Sequence, residues 1–516
     1  MNLPVLSRRH MLGLVSASAA AGAFGLPSGY KSARAATAKA LSVSSRVLEV
    51  NGKAVRVYGL ARADGVWGLY EELGARFQVS LTNELDTETL IHWHGLTPPS
   101  EQDGVPELSQ PALPPGQAYA YDFLHERAGT FWMHSHVGLQ EQKQLAAPLI
   151  VRDPAEAGRD EQEVVILLHD FAFREPEEIF MELRHGGRMA MGGGHEAPSG
   201  EHSMDMGNAE PSMGMGNAEP SMDMGNAEPS MDMGNAAQQP MVHFNDIDYD
   251  AYLANDRTLA DPEVVRVEPG GRIRLRIINA AAGTNFLLDL GTLQGDLIAV
   301  DGNPIVPISG SQFDLAIAQR LDIRLALPAG QGAYPLLARR EADTAQTGIV
   351  LATKTAPVSR VSERAHLKAR PLDLDLEARL VPLVPLAVRP ADRTHVLSLT
   401  GSHNAYDWGI NEMGFNPDNP LFVAEGERVE IVLPNKTAMP HPIHLHGHHF
   451  QVVAFDGKRF VGAVRDTVLV PPDRSVTIAF DADNPGHWAF HCHQLYHMAA
   501  GMFTSIRYEG YEGPGG

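Results

Sequence analysis

Gly74-Ala-Arg-Phe77-Gln-Val79-Ser-Leu81-Thr-Asn83 alternates apolar and polar side chains, the pattern of a strand with one face in a core. The same frame returns as Gly270, Ile273, Leu275, Ile277, Asn279 and as Gly426, Val429, Ile431, Leu433, Asn435, with identical spacing. Such self-similarity reads as three copies of one β-domain, most simply a two-sheet antiparallel sandwich. The chain is therefore expected to be all-β.

The residues beyond the frame separate the copies. Nine residues after Asn83 stands His92-Trp-His94-Gly95, and nine after Asn435 stands His444-Leu-His446-Gly447. Later the first copy has His134-Ser135-His136 and the third has His491-Cys492-His493. The middle copy has Leu288-Asp-Leu290 and Leu337-Ala-Arg339 in those places, so it is expected to be a spacer without ligands. On a strand, alternate side chains face opposite ways. Each His-X-His pair therefore shares one face, and two copies supplying equal halves point to a polynuclear cluster between them.

The tripeptide His491-Cys492-His493 serves two centres at once. Its histidines face one side and Cys492, the only cysteine, faces the other. His441 lies an odd distance before His444 and so falls on the Cys492 side, while His497 and Met502 come soon after the tripeptide. A thiolate, two imidazoles and a weak axial methionine form the ligand set of a blue-copper electron-transfer site. Ser135 replaces the thiolate in the first copy, so only the third is expected to hold a mononuclear copper.

The N-terminus Ser7-Arg8-Arg9-His10-Met11-Leu12, with an Ala/Gly-rich stretch and Ala33-Arg34-Ala35 beyond it, reads as a twin-arginine export signal over residues 1–35. Its loss takes four cations from a formal charge of −22 and leaves −26, which argues against nucleic acid as a partner. No apolar run approaches the roughly 20 residues that span a bilayer, and a single cysteine excludes an intrachain disulfide.

With these motifs in place the sequence resembles a three-domain bacterial multicopper oxidase of the copper-efflux or laccase-like kind. The resemblance runs over roughly residues 41–510. It implies three cupredoxin-like Greek-key β-sandwiches: 41–155 with cluster ligands, 162–355 without copper ligands, and 370–510 with both kinds. It implies four copper ions. His441, Cys492, His497 and Met502 would hold the mononuclear one, and His92 and His444 the type 2 copper of a trinuclear cluster. His94, His134 and His493 would hold one type 3 copper, and His136, His446 and His491 the other. Electrons would pass from the mononuclear site through Cys492 to His491 and His493, and O₂ would be reduced to water at the cluster. Asp103 stands where relatives keep a carboxylate for proton delivery.

A different composition fills about 186–240. A nine-residue repeat supplies Met204 and Met206, Met213 and Met215, Met222 and Met224, and Met231 and Met233. Its length matches the 40 residues by which the first repeat spacing exceeds the second, so it is an insertion within the second domain's span. Thioethers select Cu(I), and Met-X-Met pairs in an exported chain read as cuprous-ion collectors. Met439, two residues before His441, resembles a methionine that binds substrate Cu(I) in copper-efflux oxidases. Thr437 and Met498 depart from the acidic residues expected nearby. The expected activity is periplasmic oxidation of Cu(I) by O₂ for copper tolerance, in a chain read as a monomer without a membrane span. Laccase-like oxidation of phenols or aromatic amines is the first alternative, and a copper-storing protein the second.

Overall fold

The computed structural model describes residues 38–186 and 242–513, so the stretch expected to be an export signal and the methionine repeat lie outside the described residues. The described chain is built of strands, with two short α-helices, Pro176–Gly186 and Leu495–Ala500. No helix among these residues is long and apolar enough to cross a membrane.

The three frames form matched strands, Arg76–Asn83, Arg272–Asn279 and Arg428–Pro434. Each is preceded by a glycine at positive φ (Gly74, Gly270, Gly426), where a side chain would be strained. The first frame strand lies between Lys39–Val50 and Ala118–Leu124 in one sheet. The other sheet of that sandwich carries Gly129–Ser135 between Ile91–His92 and Ala146–Arg152. Phe77, Val79 and Leu81 from the first sheet meet Phe131, Met133 and Leu149 from the second in one core. The other two sandwiches repeat this arrangement.

The sheets are mixed, which corrects the expectation of a purely antiparallel sandwich. The strand that opens each copy lies parallel to its frame strand: Lys39–Val50 on Arg76–Asn83, Gln162–Phe171 on Arg272–Asn279, and Arg393–Val396 on Arg428–Pro434. An opening strand joined to its neighbour by a crossover rather than a hairpin is free to run parallel, a feature that local alternation does not encode.

The asparagine that ends each frame does the same job three times. Asn83, Asn279 and Asn435 are buried. Each donates Nδ2 to two carbonyls, those of Thr87 and Leu113, Thr284 and Leu315, and Met439 and Val470. Each accepts at Oδ1 from the amide two residues on. The side chain thus pins the loop leading to the next strand, and in the first and third copies that strand carries a His-X-His pair.

Candidate metal centres

Cross-strand register brings the paired histidines together. His92 lies opposite His134 in the first sandwich, and His444 opposite His491 in the third. The two sandwiches meet so that His94 stacks on His444 with ring centroids 3.8 Å apart, and His92 lies 3.9 Å from His446. Eight imidazoles from two sandwiches therefore line one buried space, and among them only His136 is not fully buried.

Their nitrogens divide cleanly into two sets. Outward-facing Nδ1 atoms bond to protein: His92 to the Asp103 carbonyl, His134 to the Ser135 carbonyl, His444 to the Asp466 carbonyl, and His491 to the Cys492 carbonyl. His446 Nδ1 donates to Asp103 Oδ2 at 2.8 Å. Inward, Nε2 of His92, His134, His444 and His493 and Nδ1 of His94 have no partner among the described residues. Nε2 of His136 and of His446 instead face Nε2 of His491, at 3.4 and 3.0 Å. Buried nitrogens without partners are costly, and lone pairs converging this closely need a cation between them. Burial, the largest cause, together with the neighbouring rings holds His94, His134, His136, His446 and His493 well below the usual histidine range. His491 is held down to about 3, again chiefly by burial. The rings are therefore neutral, the form that binds metal.

Three buried carboxylates surround the cluster. Asp103 bridges the sandwiches, with Oδ1 3.3 Å from His92 Nδ1 and Oδ2 on His446. Glu141, in the turn after His134-Ser135-His136, places Oε2 3.0 Å from His134 Nδ1 and Oε1 3.9 Å from His493 Nδ1. Burial, reinforced by Asp170, pushes the Glu141 carboxyl well above the usual range. Asp466 accepts from His94 Nε2 at 3.1 Å.

The Cys492 side of the strand forms a second centre. Sγ lies 3.7 Å from His441 Nδ1 and 3.9 Å from His497 Nδ1, and the two nitrogens are 3.1 Å apart. Met502 is fully buried beside them, its carbonyl accepting from the Cys492 amide. Burial pushes the thiol pKa up, so a cation is needed to hold it as thiolate. Both rings are committed to presenting Nδ1: His441 Nε2 bonds to Thr437 Oγ1 at 2.7 Å and His497 Nε2 to Asp246 Oδ2 at 2.8 Å. Trp408 covers His497 with centroids 4.3 Å apart. In the first sandwich Ser135 replaces the thiol, and its hydroxyl bonds to Gln140 instead. The donor sets fit copper at both places: soft thiolate with imidazole at one, imidazole throughout at the other.

The fold places Met439 close in sequence to His441 and away from solvent. It is fully buried in the core of the third sandwich, and its carbonyl rather than its thioether takes the nearby hydrogen bonds. Asp246 Oδ1 accepts from His403 Nδ1 at 2.9 Å and Oδ2 from Tyr406 at 2.7 Å, while His403 stacks on His243 with centroids 4.8 Å apart. Sequence reasoning missed Asp246, His403, Glu141 and Asp466. For Glu141 the signal was present, an acid five residues after a His-X-His pair.

Profiles of the family described as multicopper oxidase match residues 69–156, 221–357 and 388–510. Multicopper oxidase MmcO of Mycobacterium tuberculosis (strain ATCC 25618 / H37Rv) is 32% identical over 448 residues, 84% of this chain and 80% of the relative. A copper resistance protein A homolog of Pseudomonas syringae pv. tomato (strain ATCC BAA-871 / DC3000) is 27% identical, over 84% of this chain and 86% of its own. Among solved structures, Fet3p, a multicopper oxidase that functions in iron import, shares the fold at a TM-score of 0.70 and 20% identity, over 91% of this chain and 90% of its own. A laccase from Botrytis aclada shares it at 0.70 and 24%, over 90% of this chain and 86% of its own. Three cupredoxin sandwiches, two histidine centres joined through one cysteine and these likenesses lead to one conclusion: the chain belongs to the multicopper oxidase family, oxidoreductases that bind copper and use oxygen.

Proposed function

We propose that this is a periplasmic oxidase that takes electrons singly from Cu(I), releases Cu(II) and reduces O₂ to water, for copper tolerance. Four Cu(I) ions, one O₂ and four protons give four Cu(II) ions and two waters. Bound copper supplies the one-electron and oxygen chemistry that no side chain provides. His441, Cys492, His497 and Met502 would hold the mononuclear ion, and His92 with His444 the type 2 ion. His94, His134 and His493 would hold one type 3 ion, and His136, His446 and His491 the other. Asp103 and Glu141 orient cluster imidazoles from opposite sides, and Cys492 joins the two centres covalently to His491 and His493.

The observation that carries Cu(I) as substrate is the position of Asp246. It follows the methionine-rich stretch by five residues and bonds directly to His497. Burial raises its pKa, but His497, His403 and Tyr406 outweigh this and hold the carboxyl well below its usual range. An anionic group backed by the half-buried His403 and His243 favours a cation over a neutral phenol. The helix on the other flank of the insert, Pro176–Gly186, brings Phe180 to 6.2 Å from Tyr496 and 6.5 Å from Tyr406. Both flanks of the methionine pairs are therefore anchored beside His497.

The test is oxygen consumption with buffered Cu(I), a phenol and an aromatic amine, in wild type and His403→Phe. The expected result is faster turnover with Cu(I), and a raised KM for Cu(I) alone in the variant. Phenol turnover without any Cu(I) oxidation would reverse the assignment in favour of a laccase. Cell fractionation of the intact chain beside an Arg8→Lys, Arg9→Lys double variant tests export.

A further inference from the structure

The middle sandwich carries no histidine cluster among the described residues, yet it reaches the cluster between its neighbours. Arg320 opens the strand Arg320–Ala326 and is fully buried. Its two terminal nitrogens grip the Asp466 carboxylate at 2.7 and 2.5 Å, and Nε donates to the Thr130 carbonyl at 3.1 Å. Its own amide is fixed on Asp301 Oδ1 at 2.8 Å. One guanidinium thus ties the middle sandwich to the first through Thr130 and to the third through Asp466.

Asp466 in turn fixes the one cluster histidine whose orientation is reversed. His92, His134, His444, His446 and His491 anchor Nδ1 on protein and aim Nε2 inward. His94 anchors Nε2 on Asp466 Oδ1 and leaves Nδ1 free. The residue after His94 makes room for the clamp. Gly95 has φ +88°, and a Cβ there would lie 2.5 Å from Arg320 Nη2 and 2.9 Å from Asp466 Oδ2. The fork geometry suits arginine alone, since a lysine ammonium cannot hold both carboxylate oxygens and the Thr130 carbonyl at once.

We propose that Arg320 is a positioning residue for the copper cluster: by clamping Asp466 it holds His94 in the reversed orientation, so that the ligand-free sandwich governs how tightly the cluster keeps its metal. This rests on the reading that the imidazole cluster holds copper. Outer partners of metal ligands typically change metal affinity by about 10–100-fold.

The experiment loads the full chain with copper and measures copper per protein, the blue absorption, the EPR spectrum and retention of copper against graded chelator. Arg320→Gln is expected to lose cluster copper at about 10–100-fold lower chelator concentration than wild type, with the blue band intact. Arg320→Lys falls between. Gly95→Ala, which displaces the guanidinium without removing its charge, reproduces the defect and serves if Arg320→Gln does not fold. Arg46→Gln is the control for junction integrity. It breaks a two-bond pairing with Asp256 between the first and middle sandwiches and shares no partner with Arg320 or Asp466, so it should lower the melting temperature and leave cluster copper in place. Unchanged retention in both Arg320→Gln and Gly95→Ala overturns the proposal, as does equal loss in Arg46→Gln. A wild type that binds no cluster copper refutes the copper reading itself.

Discussion

Cys492 points into the apolar core of its sandwich, while His491 and His493 point across to the first sandwich. That division makes its substitution informative. Cys492→Ser is expected to abolish the intense visible absorption of a thiolate-bound copper, and turnover with it, while most cluster copper stays. His94→Ala or His136→Ala should do the reverse, sparing the blue band and ending oxygen reduction. Spectra and copper content of the three variants check the assignment. His125 offers a test at neither centre. Burial, helped by Lys39, holds its pKa down to about 4, and neither ring nitrogen has a partner among the described residues. The unfolded chain binds this proton at about pH 6.5 and the folded chain only near 4, so stability is intact above 6.5 and falls as the pH drops between the two. His125→Leu should remove that component. Between pH 7 and 4 its unfolding free energy should decline less than wild type's, by on the order of 2–3 kcal/mol, in denaturant titrations of the copper-loaded protein. The grouping of these side chains about two centres was legible because a two-residue period on one strand assigns them to a face. Their supports were not: His94 and Asp466 are 372 residues apart, and His497 and Asp246 251, and no local pattern links such distances.

At the scale of elements, the frame strand and its terminal asparagine turn a sequence repeat into a placed ligand. Asn435 holds Met439 and Thr437, and Thr437 holds His441. Asn279 makes the equivalent bonds where the next strand bears no ligand. Alanine at either position leaves buried carbonyls and an amide without partners, each costing about 1–3 kcal/mol. Both variants are therefore expected to lose about 2–4 kcal/mol of stability in chemical denaturation. Only Asn435→Ala should also weaken or shift the blue absorption, because only there does the pinned loop orient a mononuclear ligand. An unaltered blue band in Asn435→Ala would separate the asparagine from the site. The three frames were readable because half-buried strands alternate, and the glycines before them mark the turns. The parallel opening strands were not, since pairing partners depend on the assembled sandwich.

At the scale of the whole molecule, the fold leaves the methionine-rich segment a defined pair of anchors. His243 donates its amide to the Ala438 carbonyl, three residues before His441, and Phe180 approaches Tyr406 and Tyr496. Five Met-X-Met pairs lie on the chain between these points, Met189 with Met191 and the four of the repeat. On the reading that Cu(I) is the substrate, each pair is expected to bind it too weakly to sequester it, and together they are expected to raise its concentration near His403 and Asp246. Tethered sites act at an effective concentration set by reach, in the millimolar range for short flexible linkers. A flexible chain of about 35 residues spans on the order of 30–35 Å. Deleting 203–236 is therefore expected to slow Cu(I) oxidation at low copper and to cost little at saturation, because Asp246 and its bond to His497 are left in place. Oxidation of bulky phenols should hold steady or rise. The measurement is the rate of oxygen consumption against buffered free Cu(I) for wild type and deletion. Coincident curves would take the methionine repeat out of the mechanism.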